Sequence, residues 1–491
     1  PSSTPQYEDH DSQQPSHKSL AIIPLKKAQA ACDNEHLVEG FLEELVGELS
    51  IAPNIRVRPT GVVKSLLEEN DLTDPVKIGK LLGVDVVVTG SVRDHQDNLR
   101  IRLSLISVNE GFQIWGKKFM TSAADLFITA EDASEAIANA LTSKVEEHKR
   151  PEALTDPVAV DTYMRGRYLL QLHWFHGVQQ AIDKFTIARD RAPNDPRILT
   201  SMAVAISRQV FFEPHKASVL LIQAKSYAQR ASELVPNWPE PYHAMAMIAY
   251  AAGDYSTTIK SCQHALNLAP EHIEAHDLLG RVLAEVGPLE EARYHLERAL
   301  ALNETLYRAW WDLLRVYGLQ GQWDKINESL PQVRKSTRLN NALESFLFRL
   351  HCWQGLPINT FSFKFDLDAA DPRFEIIFAS ITKIVNEHTL SKEYLEDLYN
   401  TARQMPARSQ SARIFLQLCA EFALSSGEYD IAYQAVESAL QEGLRDLMWL
   451  QHMPLLNPLR CDPRFQDLLT QAQMTLAPVR ATLTPHPIHS S

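Results

Sequence analysis

The chain of 491 residues carries no CxxC pair, no block of Lys and Arg, and none of the GxxxxGKS/T, GxSxG or HExxH signatures. It also lacks the run of about 18 apolar residues that a transmembrane helix needs, and its first residues have no signal-peptide core. Five scattered cysteines, Cys32, Cys262, Cys352, Cys419 and Cys461, are odd in number and without metal-ligand spacing. Neither a disulfide framework nor a zinc site is expected, and a reducing, cytoplasmic setting is. The missing signatures remove the nucleotide loop, the hydrolase serine and the zinc protease. Gly79, Gly83 and Gly90 do not replace the first of these, because their order runs from helix to strand, the reverse of a phosphate-binding turn. His272 and His276 stand at i, i+4, yet no carboxylate or thiol set accompanies them. His173 and His176 read as solvated turn residues. No catalytic residue, metal ligand or cofactor is therefore expected, and the chain reads as no enzyme by itself. Its 48 Lys+Arg against 61 Asp+Glu give a formal charge of −13. Phosphate-backbone affinity comes from basic side chains that displace counterions, so no direct DNA binding by this stretch is expected.

What the sequence does contain is a repeat. The stretches PEPYHAMAMIAYAAGDYSTTIKSCQHALNLAP, from Pro239, and EAHDLLGRVLAEVGPLEEARYHLERALALNE, ending at Glu304, superpose with a shift of 34. Ala246 then falls on Gly280, Gly253 on Gly287, Thr258 on Ala292 and Ala265 on Ala299. That period, with small residues at those offsets, marks the tetratricopeptide (TPR) helical hairpin. Two antiparallel helices nest only where the facing side chains are small, and Leu279, Leu283 and Leu296 fill the remaining space. One hairpin cannot bury its stripe alone, so about three must stack. Further copies carry Gly166, Ala181, Phe185 and Ala188; Trp310, Tyr317, Gly321 and Trp323; and Ala420, Gly427, Ala432 and Ala439. A copy near 197–236 holds the insertion VFFEPHKAS, whose Phe211 and Phe212 either form a partner site or pack on the next hairpin. The segment GLPINTFSFKFDLDAADPRF reads as an irregular or short β excursion. Asp195-Pro196, Asp371-Pro372 and Asp462-Pro463 each open a helix, with Asp capping free amides and Pro presetting the first turn.

At about 150 residues per domain, the length predicts roughly three domains. Residues 1–18, rich in Pro, Ser and Gln, read as a disordered linker. Residues 19–150 read as a small α/β domain, 155–475 as a helical repeat array, and 476–491 as a disordered tail. In the α/β domain NLRIRLSLISV alternates: Leu99, Ile101, Leu103 and Leu105 point one way, Arg100, Arg102 and Ser104 the other. Asn109-Glu110-Gly111 turns the chain into FQIWGKKFM as an antiparallel partner, and a last helix runs from about Ala124 to Glu147. The expected fold class is α+β, a small α/β domain with one sheet face covered by helices, followed by an all-α TPR solenoid. A chain that begins with Pro is expected to belong to a larger protein.

The segments VEGFLEELVGELS, LLGVDVVVTGSVR and RIRLSLISVNEGFQIWGKKF resemble, in order and separation, the TolB-like (FlgO-like) module of bacterial signalling proteins. Leu82-Gly83-Val84-Asp85 and Gly90-Ser91-Val92 match its central motif, and Trp115 the aromatic of its last strand. With the repeats, the resemblance covers residues 20–475. It implies a regulatory region between an output domain and its partners. Tyr163-Met164-Arg165-Gly166-Arg167 and the Gln-Gln-Ala-Ile at 179–182 resemble the first repeat of OmpR-type winged-helix activators of the HilA kind. That implies a transcriptional activator whose winged-helix domain lies upstream. A CadC-like relative would carry a transmembrane helix before the linker. The alternatives are the regulatory tail of an adenylate cyclase or Ser/Thr kinase, or a free-standing scaffold.

In a TPR the first helix of each hairpin lines a concave groove. The register places His243, Met247 and Tyr250 beside Asp277 and Arg281, then Arg308, Trp311 and Arg315. The last three share one helical face at i, i+3 and i+7. They read either as a clamp for an acidic or C-terminal segment of a protein partner, or as a half-buried ring whose arginines pair with Asp277 or Glu285. Oligomerisation stays open.

Overall fold

The computed structural model describes residues 18–27, 35–52, 55–70, 72–95, 98–141, 154–172, 176–304, 306–336, 340–362, 375–407 and 409–483. The chain divides into two compact units, residues 1–148 with 153–161, and residues 149–152 with 162–491. Residues 1–17 of the expected linker, the last residues of the helix expected to reach Glu147, His173 and the Asp371-Pro372 helix start lie outside the described residues, as does the side chain of His176.

The first unit contains β1 (Lys18–Ile22), β2 (Lys26–Lys27), α1 (Glu35–Ile51), β3 (Ile55–Arg58), α2 (Thr60–Asn70), α3 (Pro75–Leu82), β4 (Val86–His95), β5 (Asn98–Ser107), β6 (Gln113–Thr121) and α4 (Leu126–Leu141). The sheet order is β3-β1-β4-β5-β6, with β2 also on β4. Pairing is parallel from β3 to β4 and antiparallel from β4 to β6. Leu99, Ile101, Leu103 and Leu105 are buried as their alternation demands, on the face that α1 and α4 cover. The second face is not bare. Ala21, Ile23 and Val87 pack there with Val62 and Val63 of α2 and Ile78 and Leu82 of α3. The expectation of one covered face therefore needs correcting. Helices α2 and α3 are short, so they shield β1, β4 and the Ser107 end of β5. Asp74 caps α3 by accepting the Val76 amide, and Gly83 ends it at φ 63°, a left-handed conformation open to glycine.

The second unit is an all-α TPR solenoid. Its helices are α5 (Pro157–Leu172), whose first residues up to Asp161 group with the first unit, α6 (His176–Arg191), α7 (Pro196–Phe212), α8 (Ala217–Leu234), α9 (Glu240–Ala251), α10 (Tyr255–Leu268), α11 (Ile273–Val286) and α12 (Leu289–Leu302). There follow α13 (Tyr307–Leu319), α14 (Trp323–Ser336), α15 (Asn340–Trp353), α16 (Glu375–Glu387), α17 (Lys392–Arg403), α18 (Gln410–Ser425), α19 (Tyr429–Gln441), α20 (Leu447–His452), α21 (Asn457–Arg460) and α22 (Pro463–Arg480). Gly253, Gly287, Gly321 and Gly355, each 34 residues on from the last, have φ between 68° and 81°. Each follows the first helix of its hairpin, where the reversal needs positive φ. A Cβ on Gly280 would stand 2.7 Å from Leu296 Cγ and 3.2 Å from the Ala292 carbonyl oxygen, which is why this crossing takes glycine.

Asp195 and Asp462 cap α7 and α22 as expected. The insertion near Phe211 is divided between the end of α7, a 3-10 turn at Pro214–Lys216 and the start of α8, and the last two rings of α7 pack edge to face at 5.2 Å and are half-buried. After α15 the chain makes a 3-10 turn at Ile358–Thr360, and no strand forms up to Ser362; the remaining excursion lies outside the described residues. The first residues of the tail expected from 476 are helical. Helix α22 continues to Arg480, because Leu476 and Val479 extend the buried stripe of Phe465, Leu468 and Ala472; residues 484–491 lie outside the described residues.

Candidate functional site

Helices α7, α9, α11 and α13 pack in succession and carry the groove positions. At one end the groove is filled by the chain itself. Helix α20 packs against α11 and α13. Its cap, Asp446, is buried, ion-paired with Arg315, and hydrogen-bonded by Gln417 Nε2 and the Trp449 amide, each at 3.0 Å. Arg315 also donates to the Ala284 carbonyl at 3.2 Å. Trp449, fully buried, donates its ring N–H to Glu421 at 2.8 Å, and Arg349 grips the same carboxylate at 2.7 and 2.8 Å. Tyr250 donates to Glu285 at 3.2 Å, and Tyr255 donates to the other oxygen. Burial and the nearby Asp446 push Glu285 up to about 6, against Arg315 and the tyrosine hydrogen bond.

Towards the other end the polar groups are less completely matched. Arg281 is satisfied: Nε donates to Asp312 at 2.8 Å, and Nη2 to both oxygens of Asp277 at 3.2 and 3.0 Å. Against its burial, these carboxylates hold the guanidinium firmly charged. Half-buried Arg308 has no hydrogen-bond or carboxylate partner among the described residues, and the field of Arg281, then burial, lowers its pKa. Arg208 of α7 donates one Nη1 to the Leu170 carbonyl at 3.3 Å, while its Nε is sealed from solvent without a hydrogen-bond partner. Burial and the charge of Arg308 pull Arg208 down to about 10. Trp311 is half-buried, stacked on Phe346 at 6.1 Å, with its ring N–H unmatched. Met247 packs partly buried on the core.

His243 is buried, 5.5 Å from the His272 ring. Burial, then the charge of His272, drives it down to about 3 in spite of Glu240. His272 reaches Glu240 at 2.5 Å and caps α11 by accepting the Ala275 amide at 3.2 Å, whereas His276 turns to His295 at 2.8 Å. The i, i+4 pair thus diverges. Among the described residues no group of three or more His, Cys, Asp or Glu is placed to hold a metal.

The register placed Arg308, Trp311 and Arg315 on one helix, but the structure gives them different surroundings. Arg315 forms its ion pair with Asp446, across 131 residues of sequence, and feels Glu285 through space without a hydrogen bond to it. Asp312 lay next to Trp311 in the sequence and could have been found as an i+4 neighbour of Arg308. Arg208 was hidden because its repeat is lengthened.

Fold and groove define a TPR solenoid in the second unit, and the first unit is α/β. No helix among the described residues is long and apolar enough to cross a membrane. No family model matches the chain. Transcriptional regulator HilA of Salmonella typhimurium is 24% identical over 306 residues, 60% of this chain and 52% of that protein. Putative adenylate cyclase 3 of Rhizobium meliloti is 26% identical over 159 residues, 32% of this chain and 27% of that protein. The chain therefore spans about half, or less, of the length of these curated relatives. Among solved structures, a thermophilic TPR protein of Thermus thermophilus aligns with 40% of this chain and 97% of its own at 20% identity, with a TM-score of 0.31.

Proposed function

We propose that the chain is the regulatory, partner-binding region of a cytoplasmic bacterial transcriptional activator. In this reading residues 155–475 hold a protein partner, and the TolB-like unit at 19–150 helps to relay its presence. A winged-helix domain upstream reads the DNA sequence, and the chain itself catalyses nothing. The observation that carries the partner site is the contrast in charge matching along the groove. Arg281 and Arg315 are neutralised by Asp277, Asp312 and Asp446, while Arg208 and Arg308, close enough to repel each other, form no ion pair with a carboxylate among the described residues. A cation kept partly out of water without a counterion is costly, and an acidic segment of a partner would supply one, with arginine forks on carboxylates and apolar area from Trp311. The likeness to HilA supports the transcriptional setting. Titration with an acidic peptide ending in a free carboxylate tests the site. Arg208→Ala with Arg308→Ala should weaken it by roughly 2 kcal/mol or more, with the circular dichroism spectrum unchanged; equal binding by both proteins would remove the groove from the mechanism.

The likeness to a putative adenylate cyclase favours a second reading, in which the same region regulates a cyclase. The reading frame upstream of Pro1 decides between them: a winged helix selects the first and a cyclase domain the second.

A further inference from the structure

The α/β unit carries a surface that the linear sequence conceals. Strand register sets Lys26 beside Ser91, Ser91 beside Arg102, and Arg102 beside Lys118, a row across four strands. The next row sets Arg93 beside Arg100 and Arg100 beside Met120. All five cations are exposed, and none has a carboxylate partner among the described residues. Among the described residues the single polar contact of Arg100 is its Nε donating to Met120 Sδ at 3.5 Å. Like charges directly opposed on neighbouring strands destabilise a sheet, so this arrangement costs stability within the chain.

Edge protection explains Lys118, since β6 ends the sheet and lysine discourages a further strand. It does not explain Arg93, Arg100 and Arg102, which lie on interior strands. We infer that this open sheet face docks on the phosphate backbone of duplex nucleic acid, independently of sequence. The rows lie about 7 Å apart along the strands and extend about 14 Å across them, so the cations form a patch. A single acidic peptide follows a line and needs its acids in register, whereas a duplex offers dense charge at any register. Single-stranded nucleic acid needs aromatic stacking, but Trp115 and Phe119 pair with Leu105 and Ile101 on the opposite face. A lipid surface calls for apolar side chains among the cations; these rows hold one, Met120, with Ser91 among the rest. The inference goes beyond the groove reading and narrows the exclusion drawn from net charge: no sequence is read, and only backbone is held.

The test uses the full chain and a short duplex of scrambled sequence, followed by fluorescence anisotropy across a salt series. Binding at low salt should fall steeply with salt, with a log-log slope of about −4 if most of the five cations take part. Arg100→Gln with Arg102→Gln should weaken it at least tenfold and flatten the slope by about 2, with a melting temperature that does not fall and rises as the cross-strand repulsion is relieved. No duplex binding at low salt, or binding indifferent to the double variant, overturns the inference. So does preference of the face for anionic vesicles or polyglutamate over the duplex.

Discussion

Arg308 and Arg315 lie on one helix and face one groove, yet they belong to different structures. Arg315 is locked into a network of Asp446, Gln417, Glu421, Arg349 and Trp449, while Arg308 forms no ion pair among the described residues and feels the repulsion of Arg281 more strongly than the attraction of Asp277 and Asp312. Repeat register says which way a side chain points. It does not say whether the chain returns to meet it. The sharpest way to break the comparison is therefore to remove the returning partner. Asp446→Ala strands a buried guanidinium, and breaking such pairs costs about 3 to 5 kcal/mol. Denaturant melts should show that loss; a cost like that of a surface variant would mean that α20 is not held as described.

The next effect is smaller and tests the hairpin rather than the plug. Gly280→Leu should cost about 1 to 3 kcal/mol by overpacking, since even a Cβ there meets Leu296 at 2.7 Å. Exposed Glu274→Leu should cost much less, and equal losses in the two melts would put the register in error. This part of the fold was legible, because a helix crossing needs small residues at fixed offsets and the period of 34 exposes them. The 131-residue return of Asp446 to Arg315 was not legible, since no periodicity links them. The cationic sheet face was half legible. Alternation put Arg100 and Arg102 on one side, but only the strand register brings in Lys26, Arg93 and Lys118.

His243 lies between the two ends and gives the groove a pH dependence. Its folded pKa, near 3, lies below the ordinary histidine value of 6.5. Between these values the unfolded chain binds the proton and the folded chain does not. The contribution to stability is thus present above about pH 6.5 and is lost as pH falls, by up to about 1.4 kcal/mol per pH unit. Melts at pH 7 and pH 5 should show a drop that shrinks in His243→Phe. An undiminished drop would assign the acid sensitivity to other groups.

The smallest effect is the most diagnostic. Arg308→Ala removes a cation that pairs with nothing described and repels Arg281, so the fold loses little: about 0.5 kcal/mol either way, the range of ordinary surface changes. Relief of the repulsion offsets the lost packing of the arginine stem. Added salt should narrow even that difference where the groove is open to solvent, because screening weakens the repulsion that the substitution removes. Paired melts of wild type and variant at low and high salt check both statements. A loss of several kcal/mol would show that Arg308 is bound within the fold as Arg315 is, and the two ends of the groove would then be alike.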